Sequence, residues 1–256
     1  MANIHPAAAQ GFASQAAAYA SGRPDYSPEV EDWLRGDLGL EPGKRALDLG
    51  AGTGKFLPRL LATGADVVAV EPVAEMRAQL SALNPCVDAR AGSAQAIPLP
   101  DGAVDAVVCA QSFHWFATPD AVAEIRRVLT PGGVLGLIWN VRDATVPWVA
   151  TLMDVMAPYE GDTPRYQSGA WRVLFPGNGF GPLSERRFSH VHTGSPARII
   201  VDRILSVSFI AALPPAERDR VAARLWELIA ATPELAGKSE VTFPYVTFAY
   251  SCRKAA

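Results

Sequence analysis

One segment, Arg45–Phe56, constrains the fold more than any other part of the chain. It reads RALDLGAGTGKF: apolar residues around one aspartate, then three glycines at alternate positions, then the first of several apolar residues at helical spacing. The pattern predicts a buried strand, a tight turn and the start of a helix. Glycine permits positive φ and lets the backbone approach a ligand closely. Because the helix N-terminus leaves backbone N–H groups free to bind, the segment indicates a nucleotide-like site.

A carboxylate ends the next predicted strand. The apolar run Asp66–Glu71 closes on Glu71, seventeen residues after Gly54. An acidic side chain at the tip of the second strand of a βαβ unit accepts the hydroxyls of a ribose. The first 71 residues therefore predict a βαβ unit that holds an adenosine.

The glycine spacing distinguishes between two kinds of adenosine-containing ligand. Dinucleotide sites read G-x-G-x-x-G/A, whereas here the third glycine comes one residue early and Lys55 stands where the last Gly or Ala should be. The G-x-G-x-G spacing after Asp48 suits a ligand without a pyrophosphate. The stretch 47–54, LDLGAGTG, resembles the first motif of the class I S-adenosylmethionine-dependent methyltransferases.

That resemblance implies a cofactor and the residues that bind it. The cofactor is S-adenosylmethionine, with Asp48 and the glycine backbone at its methionine end and Glu71 at its ribose. Gln111 is expected beside the ligand. The full set of expected cofactor-binding residues is Tyr19, Arg23, Asp48, Gly50, Ala51, Gly52, Thr53, Gly54, Glu71, Pro72, Met76, Ser93, Ala94, Gln95 and Gln111.

The turn after the third predicted strand, residues 91–99, is implied to face the adenine ring. The backbone N–H of Ala94 would serve a ring nitrogen, and the side chain of Ser93 or Gln95 would serve the exocyclic amine. Many relatives have an acid at one of these positions, so Ser93 and Gln95 depart from the family pattern. An ordinary turn without a ligand is the alternative for Gln95.

The leading segment carries Phe12, Tyr19 and Tyr26 at the helical spacing of seven, and Arg23-Pro24 then interrupts the helix. It is either a loosely packed leading helix or a lid over the cofactor. In one branch of the family the resemblance implies that Tyr19 and Arg23 close over the methionine end. A guanidinium suits that position because it pairs with a carboxylate in bidentate fashion.

The fourth predicted strand, residues 104–110, ends in Gln111-Ser-Phe-His-Trp-Phe116. Ligands in open α/β sheets bind beyond such carboxyl ends. The stretch is similar to the type 11 and trans-aconitate methyltransferase groups, including the His-Trp pair. His114 is the candidate catalytic residue: it is either a general base or a locally bonded residue that shapes the pocket. Methyl transfer depends above all on positioning, and Phe113 and Trp115 are expected to form walls.

The rest of the chain supplies further sheet and a cap. Residues 141–200 are irregular and aromatic-rich, a helix is expected from Ser195 to about Ile210, and two final strands close the sheet. We predict a doubly wound α/β fold: a seven-stranded, mostly parallel, Rossmann-like sheet with a helical cap. Residues 1–140 form the S-adenosylmethionine-binding core with its lid, and residues 141–256 form the substrate cap and closing strands.

Composition limits the partners. The net charge of −3 gives no basic surface for nucleic acid. No apolar run approaches the roughly 18 residues of a membrane helix. The three cysteines, Cys86, Cys109 and Cys252, are expected to be buried thiols in strands, and no metal site is visible. We therefore expect a cytoplasmic monomer or homodimer that acts on a small molecule, without a membrane or nucleic-acid partner.

The predicted function is transfer of a methyl group from S-adenosylmethionine to a carboxylate, hydroxyl or carbon of a small molecule. The resemblance to trans-aconitate methyltransferases keeps carboxylate among these. One alternative is an NAD-dependent oxidoreductase, which Lys55 disfavours. The other is a non-catalytic nucleotide-binding protein, which the departures at Ser93 and Gln95 leave open.

Overall fold

The computed structural model describes residues 24–255, and seven strands in that part of the chain form one sheet. Their order is β3-β2-β1-β4-β5-β7-β6. Strands β1 to β5 run parallel, and β7 is antiparallel to its neighbours β5 and β6. The bounds are β1 Arg45–Leu49, β2 Asp66–Val70, β3 Asp88–Arg90, β4 Val104–Ala110, β5 Leu129–Arg142, β6 Ser184–Gly194 and β7 Val241–Arg253. The predicted seven-stranded, mostly parallel sheet is confirmed.

Helices cover both faces of the sheet, so it is doubly wound as expected. The α-helices are α1 Val30–Gly36, α2 Leu57–Leu61, α3 Ala74–Leu83, α4 Pro119–Val128, α5 Pro147–Met156, α6 Arg203–Leu205, α7 Ser208–Ala211 and α8 Pro215–Ala231. The shorter helical turns are Phe113–Trp115, Ala157–Tyr159, Tyr166–Ser168, Ala170–Leu174 and the wider π-helical turn Ala197–Asp202.

Separate apolar cores hold the layers together. Trp33 of α1 is fully buried against β5, where a Cβ on Gly136 would lie 2.9 Å from its ring. Ile125 of α4 is buried in the core of the other face. A third core lies in the C-terminal half of the chain, where α5 and α8 pack together. The central strand β4 has buried residues of both parities, which is typical of a parallel strand covered on both faces.

The topology determines where a ligand can bind. Strand order reverses between β1 and β4, because the chain leaves β1 toward β2 and later returns to β4 on the other side. Loops that leave the carboxyl ends of these two strands diverge and open a crevice there. The glycine-rich loop follows β1, and the Gln111–Phe116 stretch follows β4, so both sequence motifs meet at this crevice.

Two local expectations are wrong. The helix expected from Ser195 to Ile210 is interrupted at Val207, whose extended backbone (ψ 132°) separates α6 from α7. The hydroxyl of Ser206 donates to the carbonyl of Arg203 at 2.8 Å, a local bond that competes with helix continuation. Cys86 is exposed, because β3 begins only at Asp88; the other two cysteines are buried strand thiols as expected.

Within residues 24–255, no helix combines the length and apolar character needed to cross a membrane. The same residues contain no group of three or more His, Cys, Asp or Glu side chains that could hold a metal ion.

Candidate active site

A deep cleft lies at the carboxyl edge of the sheet and encloses about 1280 Å³, its open mouth included. Its walls come from the glycine-rich loop, the end of β2, the turn after β3 and the end of β4. Four separate sequence segments therefore converge on it. The expected cofactor-binding residues that line the cleft are Gly50, Ala51, Gly52, Thr53, Glu71, Pro72, Met76, Ser93, Ala94, Gln95 and Gln111.

Glycine is needed at two positions of the loop for different structural reasons. Gly50 has φ +72°, and a Cβ there would lie 2.8 Å from the Cβ of Ser112. The hydroxyl of Ser112 donates to the carbonyl of Leu49 at 2.8 Å, so this contact joins the ends of β1 and β4. Gly52 has φ +59°, and the nearest atom to a Cβ there is the sulfur of Met76 at 4.0 Å. Gly50 is thus required by packing, whereas Gly52 keeps the cleft open.

Glu71 is the carboxylate of the cleft, and it is 5% exposed. Its Oε2 accepts a hydrogen bond from the backbone N–H of Gly52 at 2.8 Å, and its Oε1 accepts one from Val73 at 2.9 Å. Burial raises the pKa of Glu71, while the two backbone hydrogen bonds and Arg77 oppose that rise. Each oxygen still has a lone pair for a further donor.

Asp48 does not line the cleft. It is fully buried at the end of β1, and neither of its carboxyl oxygens has a hydrogen-bond partner among residues 24–255. Burial, followed by the charge of Glu71, raises the pKa of Asp48 to about 8. Its carboxyl group is therefore largely protonated at neutral pH. Gly54 also lies outside the cleft wall, packed against Leu57 and Asn84.

A second chamber adjoins the cleft and encloses about 700 Å³, its open mouth included. The two share the wall residues Gln111, Trp115, Asn140 and Arg203. The second chamber is also lined by His114, Trp139, Val141, Arg142, Thr163, Pro164, Arg165, Tyr166, Gln167, Val207, Ser208 and Phe209. The two spaces are therefore adjacent, and groups bound in them would lie next to the same four side chains.

Gln111 is held at that shared wall in an unusual conformation. It has φ 60°, a left-handed backbone that costs energy for a side chain other than glycine. Its N–H donates to the carbonyl of Ile138 at 2.8 Å, and its amide nitrogen donates to the carbonyl of Asn140 at 3.3 Å. The ends of β4 and β5 are thereby tied together where the two spaces join.

His114 is oriented by a tryptophan. The indole N–H of Trp139 donates to Nδ1 of His114 at 3.1 Å. Trp139 is buried and packs 4.8 Å from the Trp171 ring and 4.9 Å from the Tyr166 ring. An imidazole whose Nδ1 accepts a hydrogen bond carries its proton on Nε2 when it is neutral. The Nδ1 lone pair of His114 is thus already in use.

Arginine dominates the charge of the second chamber. Arg203 and Arg142 are each 9% exposed. Nε and Nη1 of Arg203 are buried without a hydrogen-bond partner in the described part of the chain. Arg165 forms an ion pair with Glu160 and lies 5.4 Å from the centre of the Phe209 ring. Among residues 24–255, no Asp or Glu lines the chamber.

Several site residues were not predicted from the sequence. Tyr26 lines the cleft and packs edge-on at 4.7 Å against Phe56; its spacing drew attention to it without assigning it a role. Asn140 and Arg203 belong to none of the motifs described above. Tyr19 and Arg23, expected to close over the cofactor, lie outside the described residues.

Sequence comparison relates this chain to methyltransferases. Residues 47–137 match a family model described as a methyltransferase domain. The uncharacterized methyltransferase-like protein C25B8.10 of Schizosaccharomyces pombe is 41% identical over 246 residues, which are 95% of each chain.

Solved structures are similar in fold. A protein described as a type II methyltransferase from Anaeromyxobacter dehalogenans has a TM-score of 0.64 at 24% identity, over 90% of this chain and 96% of that one. Phosphoethanolamine N-methyltransferase 2 of Haemonchus contortus, solved with phosphomonomethylethanolamine and S-adenosylhomocysteine, has a TM-score of 0.57 at 14% identity. The match covers 100% of this chain and 61% of that protein.

Proposed function

Because this chain belongs to the class I S-adenosylmethionine-dependent methyltransferases, we propose that it methylates a small molecule held in the second chamber. The observation that carries the proposal is the shared wall between the cleft and that chamber. A donor in one space and an acceptor in the other would meet at Gln111 and Trp115. Such in-line transfer depends on holding two reactants in contact and alignment.

The residues of the cleft fit the cofactor. Glu71 keeps acceptor capacity on both carboxylate oxygens, which suits the two ribose hydroxyls. Gly52 has no side chain to fill the space that the methionine end would enter. When bound, S-adenosylmethionine supplies a methyl group activated by a positively charged sulfur. Ser93, Ala94 and Gln95 form the wall that we assign to adenine.

Asp48 is proposed to act from behind the loop. It lies two residues before Gly50 and is fully buried. A cation bound in the cleft would favour the ionised form of this carboxyl group, because opposite charges lower the pKa of an acid. Asp48 would thus add an attraction for a positively charged ligand without touching it.

The side chains of the second chamber favour an acceptor that needs no general base. The Nδ1 lone pair of His114 is engaged by Trp139. Burial raises the pKa of the Tyr166 phenol, which also shares a 2.8 Å hydrogen bond with Tyr250. The lining residues described above include no carboxylate. A carboxylate acceptor is already nucleophilic at neutral pH, so we favour it over a hydroxyl group.

His114 then has a different role from that of a base. When its ring is neutral, the proton lies on Nε2, and we propose that this N–H helps to position the acceptor. Trp115 and Phe116 line the cleft beside it and would exclude water from the transfer.

The function is tested by product mass. The purified protein is incubated with S-adenosylmethionine and a panel of small carboxylic acids, alcohols, amines and activated carbon acids. A product heavier by one methylene unit, formed together with S-adenosylhomocysteine, is expected with at least one carboxylic acid. Products from alcohols alone would contradict the acceptor assignment. Cofactor binding without any product would favour the non-catalytic alternative.

A further inference from the structure

We propose that Arg203, assisted by Arg142, binds an anionic group of the methyl acceptor and so restricts the enzyme to acceptors that carry a carboxylate or phosphate. The inference rests on the proposed function and adds its recognition residue. It comes from a guanidinium that the fold buries without satisfying.

Arg203 is nine-tenths buried, yet two of its nitrogens, Nε and Nη1, have no hydrogen-bond partner among residues 24–255. Burial of an unpaired charge is strongly unfavourable. An arginine cannot reduce that cost by losing its proton, because the guanidinium stays protonated in proteins. An oxyanion would supply both the missing charge and the missing acceptors, and the planar guanidinium suits its oxygens in bidentate fashion.

Arg203 lies where the cleft and the second chamber adjoin. It is one of four residues that line both the cleft and the second chamber. It is the first residue of α6, where the π-helical turn Ala197–Asp202 ends. An anion bound to Arg203 would therefore lie close to the point of methyl transfer, not at the outer end of the acceptor.

The residues that line the chamber around Arg203 include other arginines and no Asp or Glu. Arg142, at the end of β5, lines the same chamber and is equally buried. Arg165 is the third arginine, but Glu160 pairs with it. From β6, His192 adds no opposing charge: burial first, then neighbouring cations that include Arg203, lower its pKa. The chamber is therefore a site for an anion and disfavours cationic acceptors.

A competing role for Arg203 follows from the same geometry. Because it also lines the cleft, it could pair with the carboxylate of the cofactor itself. The two roles differ in which ligand loses affinity when the guanidinium is removed. Loss of acceptor binding with intact cofactor binding supports the proposal, whereas loss of cofactor binding contradicts it.

The test uses calorimetric titration of the protein saturated with S-adenosylhomocysteine. The probes are succinate, inorganic phosphate and neutral succinamide, and the proteins are wild type, Arg203→Met, Arg203→Lys and the control Arg224→Met. Arg224 is exposed on α8 and lines neither space. Thermal unfolding checks that each variant is folded.

We expect wild type and Arg224→Met to bind succinate or phosphate but not succinamide, and the preferred anion identifies the acceptor class. Arg203→Met should weaken anion binding at least about ten-fold, with less than about a three-fold change in affinity for S-adenosylhomocysteine. Arg203→Lys, which keeps the charge, should retain part of the anion affinity.

Three outcomes would overturn the inference: unchanged anion binding by Arg203→Met, an equal loss of S-adenosylhomocysteine binding, or no anion binding by the wild-type complex. If Arg203→Met does not fold, Arg203→Lys decides, because its anion affinity should fall while its cofactor affinity stays. Failure of wild type to bind S-adenosylhomocysteine is a separate result, which contradicts the proposed function instead.

Discussion

The backbone N–H of Gly52 donates a 2.8 Å hydrogen bond to Oε2 of Glu71, which joins the glycine-rich loop to the end of β2. One contact thus couples the two sequence motifs that predicted an adenosine site. It fixes the Glu71 carboxylate inside the cleft with lone pairs to spare. The loop and the carboxylate therefore form one binding element, and substitutions in either should weaken binding of the same ligand.

Two glycine substitutions should separate stability from binding. Gly50→Ala places a Cβ 2.8 Å from the Cβ of Ser112 at positive φ, so we expect a loss of roughly 2–4 kcal/mol in the free energy of unfolding. Gly52→Ala meets no atom closer than 4.0 Å and should cost about 1 kcal/mol through its backbone strain. Its main effect should be weaker binding of S-adenosylhomocysteine. Urea unfolding and calorimetry measure the two effects, and equal stability losses would contradict the distinction.

Asp48 should make stability fall as pH rises. Its pKa is about 8 in the folded protein and 3.8 in the unfolded chain. A raised folded pKa means that the stabilisation is complete below the unfolded value and is lost as pH rises toward 8. The loss should approach about 1.4 kcal/mol per pH unit between these values. Asp48→Asn should flatten this dependence.

The Asp48 prediction is measured by urea unfolding at pH 5, 6, 7 and 8 without ligand. The matched control is Asp154→Asn, an exposed residue of α5, which should keep the wild-type slope. Equal slopes in wild type and Asp48→Asn would show that Asp48 is ionised in the folded protein.

His114 should contribute modestly to turnover. Loss of a general base usually lowers the rate by 10² to 10⁴, whereas loss of a positioning donor should cost about ten-fold. We expect His114→Asn to lower kcat/KM for a carboxylic acid acceptor by about ten-fold or less. Its pH–rate profile should keep the shape of the wild-type profile.

Trp139→Phe is the companion variant, because it removes the indole N–H that donates to Nδ1 of His114. Its effect should be of similar size, since it leaves the imidazole in place but removes the hydrogen bond that orients it. A loss of 10² or more in His114→Asn, together with the disappearance of one limb of the pH profile, would identify His114 as the base after all.

Local patterns predicted the sheet and most of the cleft. The glycine spacing, the carboxylate of Glu71 and the stretch after β4 each depend on residues close in sequence, so a single pass along the chain finds them. Asp48 shows the limit of this reasoning. Its sequence position suggested a contact with the ligand, but only the packing around β1 shows that no surface of the carboxyl group reaches the cleft.

The role of Arg203 could not be predicted from the sequence for a different reason. Arg203 lines the cleft and the second chamber from α6, a short helix that ends before the interruption at Val207. No periodicity in residues 195–210 marks that interruption, since apolar residues continue through it. Long-range packing sets such positions, and a single sequence carries little trace of it.

The most direct test of the account is calorimetric titration of wild type and Glu71→Ala with S-adenosylmethionine, S-adenosylhomocysteine and NAD. The control is Glu75→Ala, an exposed acid on α3. We predict saturable binding of the first two ligands by wild type and Glu75→Ala, a loss of at least about ten-fold in Glu71→Ala, and no binding of NAD. Binding of NAD alone, or full affinity for S-adenosylmethionine in Glu71→Ala, would contradict the account.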